Sequence, residues 1–285
     1  MRCLCLLGLA VVWFGPPACA AAPAPSASSA LVIEVQPGDW GKTSVADIRA
    51  VVCSAGGEIW RHCPNTHLDP ICVRYSAKTP ITHFARDQDG GIVVGLNARG
   101  TYWAQFAYQF AHEFGHVLAA QAGDASRKWR NTGHANHWFE ESLCETASLF
   151  ALKAMAQTWT TNPPYPNWKS FAPKLLEYAD KLLQEPPRQL AAGQNFQPWF
   201  HASEPSLRTN ATQRAKNGIV AAQLLPLFEQ NPSGWEALVW LNLGTRDPKL
   251  PFRTYLAEWR AACPASHRPF VEKLAAAFGL EKLAD

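Results

Sequence analysis

The chain carries little net charge and no block of one sign. Its 26 Lys and Arg face 23 Asp and Glu, leaving +3 over 285 residues, and the basic side chains are scattered. That distribution excludes the electrostatic footprint by which proteins grip nucleic acid. The modest cluster Arg127, Lys128 and Arg130 reads as a solvated loop. No segment recurs at a fixed period, which excludes a solenoid. No cysteine sits in a motif that would make it a nucleophile. Beyond the first residues, no stretch is long and apolar enough to span a bilayer. What remains is a 47% hydrophobic chain, large enough to bury a real core as one two-lobed domain or two small ones.

The N-terminus is the exception. Met1-Arg2 and the short apolar run 3–14 have the pattern of a secretory signal. Ala18-Cys19-Ala20 supplies the small residues that signal peptidase requires. The reading is therefore a signal peptide over 1–20, with an uncleaved anchor as the alternative, followed by an Ala/Pro/Ser-rich disordered spacer over 21–30. It places the protein outside the cytoplasm, secreted or periplasmic, with no stable membrane span after signal removal. Cys3, Cys5 and Cys19 leave with the signal. Of the remaining Cys53, Cys63, Cys72, Cys144 and Cys263, an oxidising compartment predicts one local disulfide, Cys63–Cys72 or Cys53–Cys63, with Cys144 unpaired.

Within 101–120, a run with the residues of an amphipathic helix, lies His112-Glu113-Phe114-Gly115-His116. Residues four apart share a helix face, so His112 and His116 can aim two imidazoles at one metal ion. Glu113 borders the same ion and can accept a proton from its water. A catalytic zinc takes a third protein ligand. The second helical run, 138–150, offers Glu141 and Glu145 on one face. Glu141 can bind the metal, and Glu145 can accept the outer N–H of a ligand histidine. Glu140, Cys144, His134 and His137 are the competing third ligands. The spacing after His116 excludes HExxHxxGxxH.

The segments HEFGH and Trp138-Phe139-Glu140-Glu141-Ser142-Leu143-Cys144-Glu145 resemble the gluzincin metallopeptidases, the superfamily of thermolysin and aminopeptidase N. The aminopeptidase N branch reads approximately W-x-N-E-G-x-A-E there, and aligning the tryptophans puts the ligand at Glu141 and the following carboxylate at Glu145. The resemblance covers about residues 92–152. It implies an α+β, zincin-like two-lobed fold: a small mixed β-sheet lobe over 31–120 with the HExxH helix, then the Glu-ligand helix and an α-helical lobe over 121–285. It implies Zn2+ held by His112, His116 and Glu141, with Glu113 as general base and a peptide or protein as substrate. The 24 residues between His116 and Glu141 exceed the branch's usual spacing, and Ala215 stands near the position of its oxyanion-binding tyrosine. His201, Arg208, Arg214 and Tyr178 are the candidates to replace it. The exopeptidase motif of that branch is missing upstream of His112, which favours an endopeptidase over an aminopeptidase. A catalytically silent binding protein of the same fold, or a zinc hydrolase of a non-protein amide, are the alternatives.

Strands are predicted over 31–35, 71–75, 81–85 and 92–96, and a helix over 44–55. By the same resemblance the last strand is a sheet edge whose backbone holds extended substrate. Further helices are predicted over 170–183, 212–229, 234–243, 252–263 and 268–278. Trp159, Trp168, Phe171, Trp199 and Phe200 read as core.

Overall fold

A computed structural model describes residues 30–83, 85–120, 134–245, 247–281 and 283. The signal segment, nearly all of the spacer and the Arg127–Lys128–Arg130 cluster lie outside the described residues. The architecture is α+β: a four-stranded mixed sheet and, among the described residues, nine α-helices.

The sheet orders β1 (Ile33–Val35), β2 (Ile71–Tyr75), β4 (Ile92–Leu96) and β3 (Ile81–Thr82) side by side. The first three run parallel, with Ile33 opposite Ile71 and Ile71 opposite Ile92. The fourth is antiparallel, with Ile81 opposite Gly95. Val-Val-rich β4 is buried on both faces, the condition of an interior strand. This corrects the expectation that β4 is the edge: it has a neighbour on each side, and β3 is the edge instead. β3 is also shorter than 81–85. Further along, the chain turns at Asp87, whose Oδ1 accepts from the backbone of Asp89 and Gly91.

Helix α1 (Val45–Trp60) starts at Ser44, whose hydroxyl accepts from Asp47 N at 3.0 Å. That is an N-cap contact of the kind worth about 1 kcal/mol. It runs past the predicted end at residue 55, through Gly56-Gly57. Gly56 is held there by packing: a Cβ would stand 2.9 Å from Phe110 Cε1, so the gap admits only hydrogen. α2 (Trp103–Ala119) lies against α1 and against α3 (His137–Thr158). Gln109 of α2 clamps the exit of β4. Its Oε1 accepts from Asn97 N and Ala98 N, and its Nε2 donates to Asn97 Oδ1. Sheet and helix are thereby fixed in register.

The remainder is helical: α4 (Ala172–Gln184), α5 (Phe196–Thr209), α6 (Arg214–Gln230), α7 (Gly234–Ala237), α8 (Phe252–Ala262) and α9 (Arg268–Ala277). α5 was not anticipated, because Pro198 and Pro205 break the local pattern; Pro205 lies inside the helix. The predicted helix over 234–243 divides into α7 and a 3-10 turn. Trp138, Phe139, Phe200, Phe252 and Phe278 form one aromatic cluster that seats α3 on α5, α8 and the end of α9. Trp159 is fully buried and donates to Ser54 Oγ at 2.7 Å, which makes it core. No described helix is long and apolar enough to cross a membrane.

All five described cysteines are free thiols, so neither expected disulfide forms. Cys63 is buried at the end of α1, with its Sγ against Ile59 O at 3.8 Å.

Candidate metal centre

α2 divides its faces sharply. Phe106, Phe110, Phe114 and Val117 recur at helical spacing and are fully buried. His112 and His116 emerge on another face, toward a cavity of about 1260 Å³. The glycine between them has a structural reason. A Cβ on Gly115 would come within 2.8 Å of Cys144 Sγ and 3.1 Å of Cys144 Cα. Glycine therefore lets α3 cross α2 closely, and the close crossing delivers the carboxylates of α3 to the histidines of α2.

Glu141 meets both. Its Oε2 lies 3.5 Å from His112 Nε2 and its Oε1 lies 3.6 Å from His116 Nε2. Ligand atoms bonded to a tetrahedral zinc at about 2.0–2.1 Å stand about 3.3–3.4 Å from one another, so these separations fit a shared ion. His116 Nδ1 is 2.7 Å from Glu140 Oε1. An ionised carboxylate only accepts, so the proton of His116 belongs on Nδ1 and the lone pair of Nε2 faces Glu141. Glu140 is fixed in turn by Asn242 Nδ2, which donates to its Oε2 at 2.8 Å, and Tyr255 OH donates to Asn242 Oδ1 at 2.9 Å.

Glu113 also lines the cavity, and its Oε2 accepts from Thr82 Oγ1 of β3 at 2.8 Å. Glu145 lies 3.9 Å from His112 Nδ1, an ion-pair contact longer than a hydrogen bond. Its close partners are Tyr108 OH and the Arg188 guanidinium.

The protonation states follow from this crowding. Burial by itself would raise the Glu141 carboxyl, but His112, His137 and His116 outweigh it and hold the group far below the usual carboxylate range. Desolvation would raise half-buried Glu140 too, yet His116 brings it down to about 2. Burial would lower His112; contact with Glu141 and the negative field of Glu113 and Glu145 prevail and raise it to about 9. A metal ion at this position must therefore displace a proton from His112.

Cys144 is the rival ligand, since its Sγ and one nitrogen each of His112 and His116 lie within 4.8 Å of one another. Only the thiolate ligates. Burial, and then the carboxylates of Glu140, Glu141, Glu113 and Glu145, push the Cys144 thiol well above its ordinary value. Glu141 is already ionised, so the donor set His112, His116 and Glu141 is the better fit. Two imidazoles and a carboxylate form an open set suited to zinc.

Among the proposed oxyanion donors, Tyr178 and Arg214 line the cavity. Arg208 is engaged elsewhere, with Asn136 Oδ1, Leu250 O and Lys249 O. His201 is an exposed residue of α5, away from the cavity lining. Sequence reasoning did not find Thr82, Tyr108, Arg188, Asn242 or Tyr255. Tyr108 was within reach, since it lies one helical turn before His112. The others arrive from distant segments and leave no local signal.

Comparison with family models, with curated proteins and with solved structures returns no match.

Proposed function

We propose that this chain is a zinc-dependent hydrolase of peptide bonds, with a zincin-like site between a sheet-bearing lobe and a helical lobe. The observation that carries the proposal is Glu141, whose two carboxylate oxygens face the Nε2 atoms of His112 and His116 at 3.5 and 3.6 Å, with Glu113 beside them in a large cavity. Zinc bound there would supply Lewis acidity, polarising a scissile carbonyl and lowering the pKa of its water.

The chain's own residues do the rest. Glu113 takes the proton of the attacking water and returns it to the leaving amine. Thr82, donating to Glu113 Oε2, holds that carboxylate in place while the other oxygen stays available. Glu140 keeps His116 in the tautomer that coordinates. Tyr178 or Arg214, both on the cavity wall, supplies a donor for the developing oxyanion in place of the tyrosine replaced by Ala215. β3, the free sheet edge, borders the same cavity through Ile81 and Thr82 and offers backbone groups to an extended peptide. With the exopeptidase motif missing, an endopeptidase acting outside the cytoplasm is the form proposed.

The test is hydrolysis of a mixed peptide library by the zinc-loaded mature chain and by Glu113→Gln. The wild type should cleave, and Glu113→Gln should keep its zinc and lose activity by roughly 10²–10⁴-fold. A zinc-loaded wild type that cleaves no peptide, or a Glu113→Gln variant as active as the wild type, would overturn the proposal.

A further inference from the structure

The cavity contains a second group of donors, two of which, His134 and His137, have no role in the centre described above. His134, His137 and Glu140 follow one another three residues apart, at the entry and first turn of α3, and that spacing keeps them near one face. All three line the cavity, and one donor atom from each lies within 4.8 Å of the others. Two imidazoles and one carboxylate suit a borderline cation such as zinc over magnesium or calcium, which prefer oxygen alone.

The two groups are joined by one side chain. Glu141 Oε2 is 3.5 Å from His112 Nε2, while Glu141 Oε1 is 3.1 Å from His137 Nε2. That same Oε1 is also 3.6 Å from His116 Nε2, so one carboxylate touches histidines of both groups and can bridge two cations. Glu140 makes a second link, since it belongs to the new group and also accepts from His116 Nδ1. By contrast His267, elsewhere in the chain, faces Glu236 with no third metal-binding side chain grouped with them among the described residues.

We propose that His134, His137 and Glu140 form a second cation site, which takes a divalent ion of zinc-like chemistry beside the one held by His112, His116 and Glu141. This rests on the metal-centre reading, because Glu141 serves both positions. The second ion binds more weakly than the first. Both Glu140 oxygens already accept hydrogen bonds, from His116 Nδ1 at 2.7 Å and Asn242 Nδ2 at 2.8 Å, and the ion has to compete with them.

The experiment is equilibrium dialysis of the mature full chain against graded free zinc, with bound metal counted per chain for wild type and His134→Ala. The expected result is two equivalents in the wild type, the second at least about tenfold weaker, and one tight equivalent in His134→Ala. His134 stands outside the helix, so its replacement should leave the unfolding midpoint unchanged. Should His134→Ala fail to fold, His134→Gln takes its place, and the wild-type stoichiometry is decisive alone. Saturation of the wild type at one equivalent, or two equivalents retained in the His134 variant, overturns the second site and leaves the first standing. No bound zinc in the wild type overturns both.

Discussion

Glu236 and Glu141 are both carboxylates withdrawn from solvent beside histidines, and they are used in opposite ways. Glu236 is 1% exposed and both its oxygens are already engaged. Oε1 accepts from Asn65 N at 2.6 Å and Thr66 Oγ1 at 3.2 Å, and Oε2 accepts from Asn65 Nδ2 at 3.2 Å with His267 Nε2 at 3.3 Å. That arrangement ties the loop after α1 to α7, with nothing left over for a ligand. Glu141 meets three histidine nitrogens at 3.1–3.6 Å, and among the described residues no hydroxyl or backbone N–H reaches it. The structural carboxylate is held mainly by hydrogen-bond donors of one loop. The other is surrounded by groups that can all coordinate, and it opens on a cavity.

Substitutions at the two places should therefore fail differently. The largest effect expected is on turnover: Glu113→Gln, next to Glu141, loses about 10²–10⁴-fold in kcat while its denaturant midpoint moves by less than the equivalent of about 1 kcal/mol. Activity assays and urea titration of one preparation check both halves. The mirror result is expected at Glu236→Ala, which strands several buried donors. It should destabilise the fold by about 3–5 kcal/mol, read by urea titration, and leave zinc stoichiometry unchanged at low temperature. If Glu236→Ala abolished zinc binding in a still-folded protein, the division between the two sites would be wrong.

A smaller effect sharpens the packing half of the comparison. Gly115→Ala places a methyl 2.8 Å from Cys144 Sγ and should cost about 1–3 kcal/mol by pushing α3 away from α2, with zinc affinity falling alongside. Adding Cys144→Ala should restore part of the loss only, because the Cys144 Cα is itself 3.1 Å away. Thermal unfolding with and without zinc measures both consequences.

The mildest expected effect is a pH dependence. His112 in the metal-free fold is raised to about 9, as its carboxylate neighbours outweigh its burial, above an unfolded value of about 6.5. Its contribution to metal-free stability is therefore complete below about pH 6.5 and lost as pH rises through about 9. Zinc must displace that same proton, so zinc affinity should climb by up to about tenfold per pH unit between about pH 6.5 and 9. Competition titrations with a chelator across that range check it. A flat profile would mean that His112 carries no proton in the metal-free site.

Much of this arrangement was legible in the amino-acid sequence, because it depends on local spacing. The i, i+4 pair His112/His116 and the carboxylates one helix later required no knowledge of tertiary structure. The strand segments and the α+β character followed from alternation and turn residues. What escaped did so for identifiable physical reasons. The edge position of β4 rested on the resemblance alone, and no single strand's residues encode the sheet order in which β3 pairs on its far side. Gly56-Gly57 looked like a helix end, since the side chain that requires Gly56, Phe110, lies on another helix. The disulfide expectation rested on three close cysteines, and sequence proximity does not orient their side chains. Thr82, Asn242 and Tyr255 reach the cavity from three separate elements, a convergence that only the fold creates.

The measurement that bears most directly on the central claim is a zinc-binding isotherm at pH 7.5 for wild type, Glu141→Ala and Glu236→Gln. The account predicts tight zinc in the wild type and in Glu236→Gln, with affinity weakened by at least about 100-fold in Glu141→Ala. Equal affinity in Glu141→Ala and wild type, or a wild type that takes up no zinc, would contradict it.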